Sequence, residues 1–290
     1  MLLQGCSPLA LLNGWVPSST YSVKTDVSYG PLARHQLDVY RPGAAQGAVP
    51  VVVFFYGGNW DSGARADYLF VGEALAAQGY VVVVPDYRLY PEARYPDFLA
   101  DCATAVQWVY QHITAYGGDP QRVFLMGHSA GAYNAAMLAL NPAYLRAAGV
   151  DPRRVRGLIG LAGPYDFLPL TGAVTQAVFG FPDTPITTQP IHFASPAAPP
   201  ALLVTGADDD VVNPGNSTRL AARLQQHGVP ARVIVYPGMG HRMVLGALAT
   251  PLRRWPGFGP VIDDVAGFIN GGSATGARLK SSLSPTPAPQ

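Results

Sequence analysis

Cysteine is scarce in this chain. Its 290 residues hold two, Cys6 and Cys102, which excludes a disulfide-built scaffold. Cys102 falls within a helical pattern and reads as a small buried hydrophobe. No Cys/His group has zinc-ligand spacing, so no metal is expected. Charge is thin as well. Only 13% of residues are charged, the formal net charge is +1, and there is no basic run or acidic tail. Nucleic acid is therefore not an expected partner. No apolar run reaches the length of a membrane-crossing helix, and there is no internal repeat.

Glycine (32) and proline (28) are plentiful, and 49% of the residues are hydrophobic. That composition suits one large α/β domain with many tight connections. Residues 1–22 read as a lead-in, 23–270 as the domain, and 271–290, rich in Gly, Ser, Pro and Ala, as a disordered tail. Within the lead-in, Leu3-Gln4-Gly5-Cys6 resembles a bacterial lipoprotein cleavage box, with Cys6 as the lipidated residue. A full signal needs a basic segment and a longer apolar stretch, and only Met1 to Gly5 precede Cys6. Either translation starts upstream, with a lipid anchor at Cys6 and an extracytoplasmic location, or the likeness is accidental and the location is cytoplasmic.

Strand and helix patterns alternate along the domain. Thr25–Tyr29 and His35–Tyr40 have the strand period and predict a hairpin. Val49–Phe55, Val81–Val84, Val123–Met126, Val155–Leu161, Ala201–Thr205 and Ala231–Tyr236 are apolar runs, as strands covered on both faces require. Helical spacing covers Tyr68–Gln78, Pro96–Tyr116, Ala135–Leu140, Ser217–His227 and Pro260–Ile269. Phe167–Pro200 breaks the alternation. It reads as a lid or pocket-lining insertion, or as an irregular connection with core aromatics. The alternation predicts a mostly parallel, twisted sheet of about eight strands with helices on both faces and no large cap domain.

The chemistry gathers where strands end. Val123–Met126 runs into Gly127-His128-Ser129-Ala130-Gly131, and a helical pattern follows. Strand, Gly-x-Ser-x-Gly, helix is the context of a nucleophile elbow. Glycines are needed at 127 and 131 because side chains would collide across so tight a turn. A serine hydroxyl is a weak nucleophile and needs a neutral imidazole to take its proton. Of six histidines, His241 follows a strand through a Gly-flanked loop, and His192 in the irregular segment is its one competitor. His35, His112 and His227 sit in edge-strand or helix-end contexts, and His128 reads as a local contact within the elbow. A carboxylate must orient the imidazole, and Asp208, Asp209 and Asp210 are all candidates. Amides for an oxyanion hole would come from Ala130 and from Tyr56-Gly57-Gly58-Asn59-Trp60.

With these residues in place, the chain resembles the α/β-hydrolases. More narrowly, it is similar to carboxylesterases of the hormone-sensitive-lipase-like and bacterial feruloyl/acetyl-esterase-like branch. Leu37-Asp38-Val39-Tyr40-Arg41-Pro42, the 56–60 loop, Asp86-Tyr87-Arg88-Leu89 with Pro91-Glu92 and Tyr95-Pro96, Gly117-Gly118-Asp119-Pro120 and the elbow carry the likeness. The family's acid follows a Gly by three residues and precedes valines. That points to Asp209, between Gly206 and Val211-Val212. The resemblance implies hole amides at Gly58, Asn59 and Ala130. Two departures stand out. Tyr56 replaces the usual His of His-Gly-Gly, so the loop's hydrogen-bonded support should differ. Asn59 stands where lipase-like members have a third Gly, nearer the loop of feruloyl/acetyl-esterase and arylformamidase relatives.

The resulting expectation is a serine esterase acting on short- to medium-chain carboxylic esters through an acyl-enzyme. It would use Ser129, Asp209 and His241, with no cofactor and a small-molecule ester as its partner. Activity should fall in acid, where imidazole carries its proton. Trp60, Tyr133, Phe167 and the aromatics of 179–193 read as pocket walls or simply as core. An arylformamidase, an acetyl or feruloyl esterase on plant polysaccharide, and a non-catalytic binding protein on a hydrolase fold are the alternatives.

Overall fold

The computed structural model describes residues 8–44 and 47–271. Cys6 with its cleavage-box likeness, and the tail from 272 onward, lie outside the described residues. Among the described residues, eight strands form one sheet: β1 (Tyr21–Ser28), β2 (Gln36–Pro42), β3 (Val49–Phe55), β4 (Val81–Pro85), β5 (Gly118–His128), β6 (Val155–Leu161), β7 (Ala201–Gly206) and β8 (Ala231–Tyr236). Their order is β1-β2-β4-β3-β5-β6-β7-β8. The expected hairpin is the antiparallel pair β1–β2, β2 is antiparallel to β4, and all remaining pairs are parallel.

Nine helices are described: α1 (Pro8–Gly14), α2 (Leu69–Ala76), α3 (Asp97–His112), α4 (Ala130–Leu140), α5 (Pro142–Ala147), α6 (Ala173–Phe179), α7 (Gly215–Gln226), α8 (His241–Gly246) and α9 (Val261–Ile269). They cover both faces of the sheet, and strand register shows how. Tyr40, Val82, Val52 and Phe124 stand in one row across β2, β4, β3 and β5. Tyr40 lies against Gly72 of α2, and the Phe124 ring meets Phe268 of α9 edge-on. Val51 points the opposite way and meets Ile113, at the end of α3, beside Gly118. Val51, Val52, Val53, Phe54 and Phe55 are all fully buried, which is why β3 is continuously apolar rather than alternating.

The differences from the periodicity reading are local. The helix predicted over 96–116 ends at His112, and 113–116 tightens into a 3-10 turn. Most of the Gly117-Gly118-Asp119-Pro120 motif is strand, since β5 already begins at Gly118. Helices α1, α5, α6 and α8 have six or seven residues each, too few for a 3.6-residue period to register. Asn13 of α1 binds the Ala66 carbonyl and the Phe70 amide, so the lead-in is docked onto the start of α2. The segment 167–200 forms α6 and two 3-10 turns, at 186–188 and 190–193. It is pinned by Tyr133 Oη to the Thr188 carbonyl and by the Phe167 amide to Gln189 Oε1.

Because β3 to β8 run parallel, the connections after β3, β5, β7 and β8 emerge at one edge. The chain order reverses between β3 and β5, the switch point at which open α/β sheets form sites.

Candidate active site

Ser129 sits between β5 and α4 with φ 55° and ψ −124°, a conformation that costs a non-glycine residue about 1–3 kcal/mol. The flanking glycines make the turn possible. A Cβ on Gly127 would lie 2.2 Å from the Gly131 carbonyl oxygen, and one on Gly131 only 2.0 Å from that of Phe55. The Ser129 amide donates to the Leu161 carbonyl across the sheet at 2.9 Å, which fixes the elbow on β6. Helix α4 then starts at Ala130 and directs its positive end at the serine.

Asp209 and His241 meet in the loops after β7 and β8. His241 Nδ1 lies 2.9 Å from Asp209 Oδ2. The other carboxylate oxygen accepts from the amides of Val211 (3.0 Å) and Val212 (2.8 Å). Burial works to raise the Asp209 carboxyl. The hydrogen bonds from His241 and the two amides outweigh it and hold the group below the usual carboxylate range. The open choice among three adjacent aspartates is thus a matter of depth: Asp209 is buried against the imidazole, while Asp208 and Asp210 are exposed. His192 is exposed and packs edge-on against Phe193.

His241 is joined to the elbow through His128. His128 Nε2 lies 3.2 Å from the His241 carbonyl oxygen, and the two rings are 4.8 Å apart. A carbonyl can only accept, so His128 carries its proton on Nε2. Burial, followed by the neighbouring His241, pushes the His128 imidazole down to about 3, and the ring is neutral.

The 56–60 loop closes the third side. A Cβ on Gly57 would lie 3.0 Å from Ser129 Cβ, so the loop passes in van der Waals contact with the serine. Gly58 has φ 122°, and Asn59 and Trp60 are both left-handed at φ 53° and 62°. This strained run is braced at several points. The amides of Asp61 and Ser62 and the Ser62 hydroxyl all donate to the Gly58 carbonyl. The Tyr90 amide donates to the Trp60 carbonyl, and Trp60 Nε1 donates to Asn134 Oδ1 at 3.0 Å. Among the described residues, the amides of Gly58, Asn59 and Ala130 donate to no protein acceptor.

Tyr56, the departure from His-Gly-Gly, has its own support. Its hydroxyl donates to Asp86 Oδ1 at 2.7 Å and accepts from Arg34 Nη2 at 2.8 Å. Arg34 also donates to the carbonyls of Gly63 and Tyr87, so it binds both ends of the loop region. The Tyr56 ring stacks between Tyr68 and Tyr87. Asp86 is held in turn by the main chain and guanidinium of Arg65, which also pairs with Asp38 and Asp26. Arg34 and Arg65 belong to no motif and left no signal in the sequence. Asp86 did leave one, as an acid directly after a buried strand.

The candidate wall aromatics divide. Trp60, Tyr133 and Phe179 are buried and pack edge-on to one another, with Phe98 and the half-buried Phe167 beside them. They form a plug of core behind the elbow. Phe181 is 54% exposed and takes no part in it.

The profile of the BD-FAE family matches residues 37–224. A probable isoprenylcysteine alpha-carbonyl methylesterase of Arabidopsis thaliana, ICMEL1, is 28% identical over 92% of this chain, which spans 61% of that relative's length. A second such protein, the probable isoprenylcysteine alpha-carbonyl methylesterase ICME of Oryza sativa subsp. japonica, is 30% identical over 91% of this chain, which spans 68% of that relative's length. Among solved structures, a truncated carbohydrate esterase from gut microbiota superposes with a TM-score of 0.75 at 23% identity, covering 88% of this chain and 97% of that one. The fold is that of the α/β-hydrolases, as the motifs implied.

Proposed function

Since the chain belongs to the BD-FAE family, whose relatives here are ester hydrolases by name, we propose that it is a serine esterase working through an acyl-enzyme. The observation that carries this is the buried Asp209–His241 pair, tied through His128 to a strained serine flanked by unengaged amides.

His241 removes the Ser129 proton as the hydroxyl oxygen attacks the ester carbonyl. Asp209 keeps the imidazole in the tautomer with its proton on Nδ1 and stabilises the imidazolium that forms. The negative charge gathering on the carbonyl oxygen is received by the amides of Gly58, Asn59 and Ala130. These groups are already oriented, so they need no reorganisation as the charge develops. His241 then protonates the leaving alcohol, and a water activated by the same imidazole releases the acid. The acyl group in this proposal is short to medium in chain length.

The test is hydrolysis of p-nitrophenyl esters from acetate to palmitate, with the natural chain and Ser129→Ala side by side. Turnover of the short esters, abolished in the variant, is the expected result. Turnover that survives in Ser129→Ala would overturn the assignment. Inactivity of the natural chain on every ester, together with turnover of formyl amides, would replace the ester with an amide substrate.

A further inference from the structure

Resting on that esterase reading, we infer that His128 is a positioning residue: its ring, held in one tautomer, clamps the main chain of His241 over Ser129. His128 is the last residue of β5 and is buried at the meeting point of three segments far apart in the chain. Its Nε2–H donates to the His241 carbonyl. Its other ring nitrogen faces the oxyanion loop, where a Cβ built on Gly57 would lie 3.2 Å from Nδ1. One rigid ring therefore spaces the nucleophile, the amide donors and the base.

The base needs such a restraint. His241 opens α8 directly after Gly238-Met239-Gly240, and Gly238 is left-handed at φ 71°. The Asp208 amide holds the Met239 carbonyl, and Asp209 holds the His241 ring. Asp209 alone leaves the imidazole free to swing about its Nδ1 bond. The His128 bond adds a second point, on the main chain, and two points fix the direction in which Nε2 faces. Misplacement by about an ångström costs on the order of a hundredfold in rate.

The neutral state of His128 belongs to this arrangement. A cationic donor would make the same hydrogen bond. It would also oppose the imidazolium that His241 must become, with the two rings 4.8 Å apart. Burial removes that conflict by keeping His128 uncharged.

Three variants test the clamp in the full chain: His128→Gln, His128→Asn and His128→Leu. A glutamine amide nitrogen reaches about as far as Nε2. An asparagine amide nitrogen stops at the Nδ1 position, short of the carbonyl. Leucine has no donor. The readouts are kcat and KM on p-nitrophenyl acetate and the rate of Ser129 labelling by a fluorophosphonate, with melting curves as the fold control. The clamp predicts kcat and labelling down about 10- to 100-fold in Asn and Leu, with KM within twofold. Gln should recover most of the loss. Equal rates in Gln and Asn, or kcat within twofold of the natural chain in Asn, would overturn it. If Leu fails to fold, the comparison of Gln with Asn decides. Ser129→Ala in the same assay separates the two inferences: activity that persists there removes the esterase reading and the clamp with it, whereas loss there together with equal rates in Gln and Asn removes the clamp alone.

Discussion

Asp209 and His241 stand 32 residues apart in the chain and meet through a single 2.9 Å contact, Nδ1 to Oδ2. The carboxylate is saturated around that contact, with its other oxygen held by the Val211 and Val212 amides. It cannot turn away from the imidazole without stranding two backbone donors.

Asp209→Asn therefore tests the tautomer rather than the fold. The amide fits the same space and can present a donor to Nδ1, which turns the imidazole so that its proton faces the serine. We expect kcat to fall about 10³- to 10⁴-fold with little change in melting temperature. Asp208→Asn and Asp210→Asn, both at exposed positions, should stay within about twofold of the natural rate. Steady-state kinetics on a short ester distinguishes the three. Equal loss at 208 or 210 would contradict the assignment.

Tyr56→Phe removes the hydroxyl that links Arg34 to Asp86 while keeping the stack between Tyr68 and Tyr87. Asp86 then loses a buried donor, at a cost of about 1–3 kcal/mol. The 56–60 loop loses a brace next to Gly57. Both stability and kcat should fall, kcat by about tenfold, with KM little changed. Denaturant unfolding and initial rates measure the two effects separately. A variant that loses stability and keeps full kcat would show that the network serves the fold alone.

Acid should loosen the fold through His128. Its imidazole is pushed down to about 3 by burial, whereas in the unfolded chain it takes a proton at about 6.5. Below that pH the unfolded state binds the extra proton, so stability falls as pH falls, by about 1.4 kcal/mol per unit where the slope is full. His128→Gln cannot titrate, and its stability should decline less between pH 6.5 and 4.5. Chemical denaturation across that range, with both proteins in parallel, gives the difference. Identical slopes would mean that His128 takes up a proton in the folded state as readily as in the unfolded one.

Two glycines make opposite predictions. On Gly131 a methyl group would lie 2.0 Å from the Phe55 carbonyl oxygen, a main-chain atom of the central strand that cannot step aside. Gly131→Ala should lose about 3 kcal/mol or more and disable the elbow. Gly267 is exposed in α9, and a methyl group there would meet nothing within 4 Å. Gly267→Ala should gain about 0.5–1 kcal/mol through helix propensity. Paired melting curves check both at once.

By itself the sequence determined the parts that depend on near neighbours along the chain. Buried strands announce themselves as apolar runs. The elbow is a five-residue turn whose glycines are required by contacts within the turn and with the adjoining strand, so the turn that carries Ser129 was legible. So was the place of His241 at the sheet edge, because it follows a strand and a glycine turn. The tertiary structure decided what depends on contacts across the fold. Which of three adjacent aspartates turns inward is set by the depth of the loop after β7 and by the imidazole it meets there. The support of the 56–60 loop passes from Tyr56 to Arg34, 22 residues away. The clamp on His241 comes from a histidine 113 residues earlier. Aromatics that could have lined a pocket packed against one another instead. Periodicity records only whether a side chain faces in or out. Its partner there is chosen by strand order and register, which bring together residues that the chain keeps far apart.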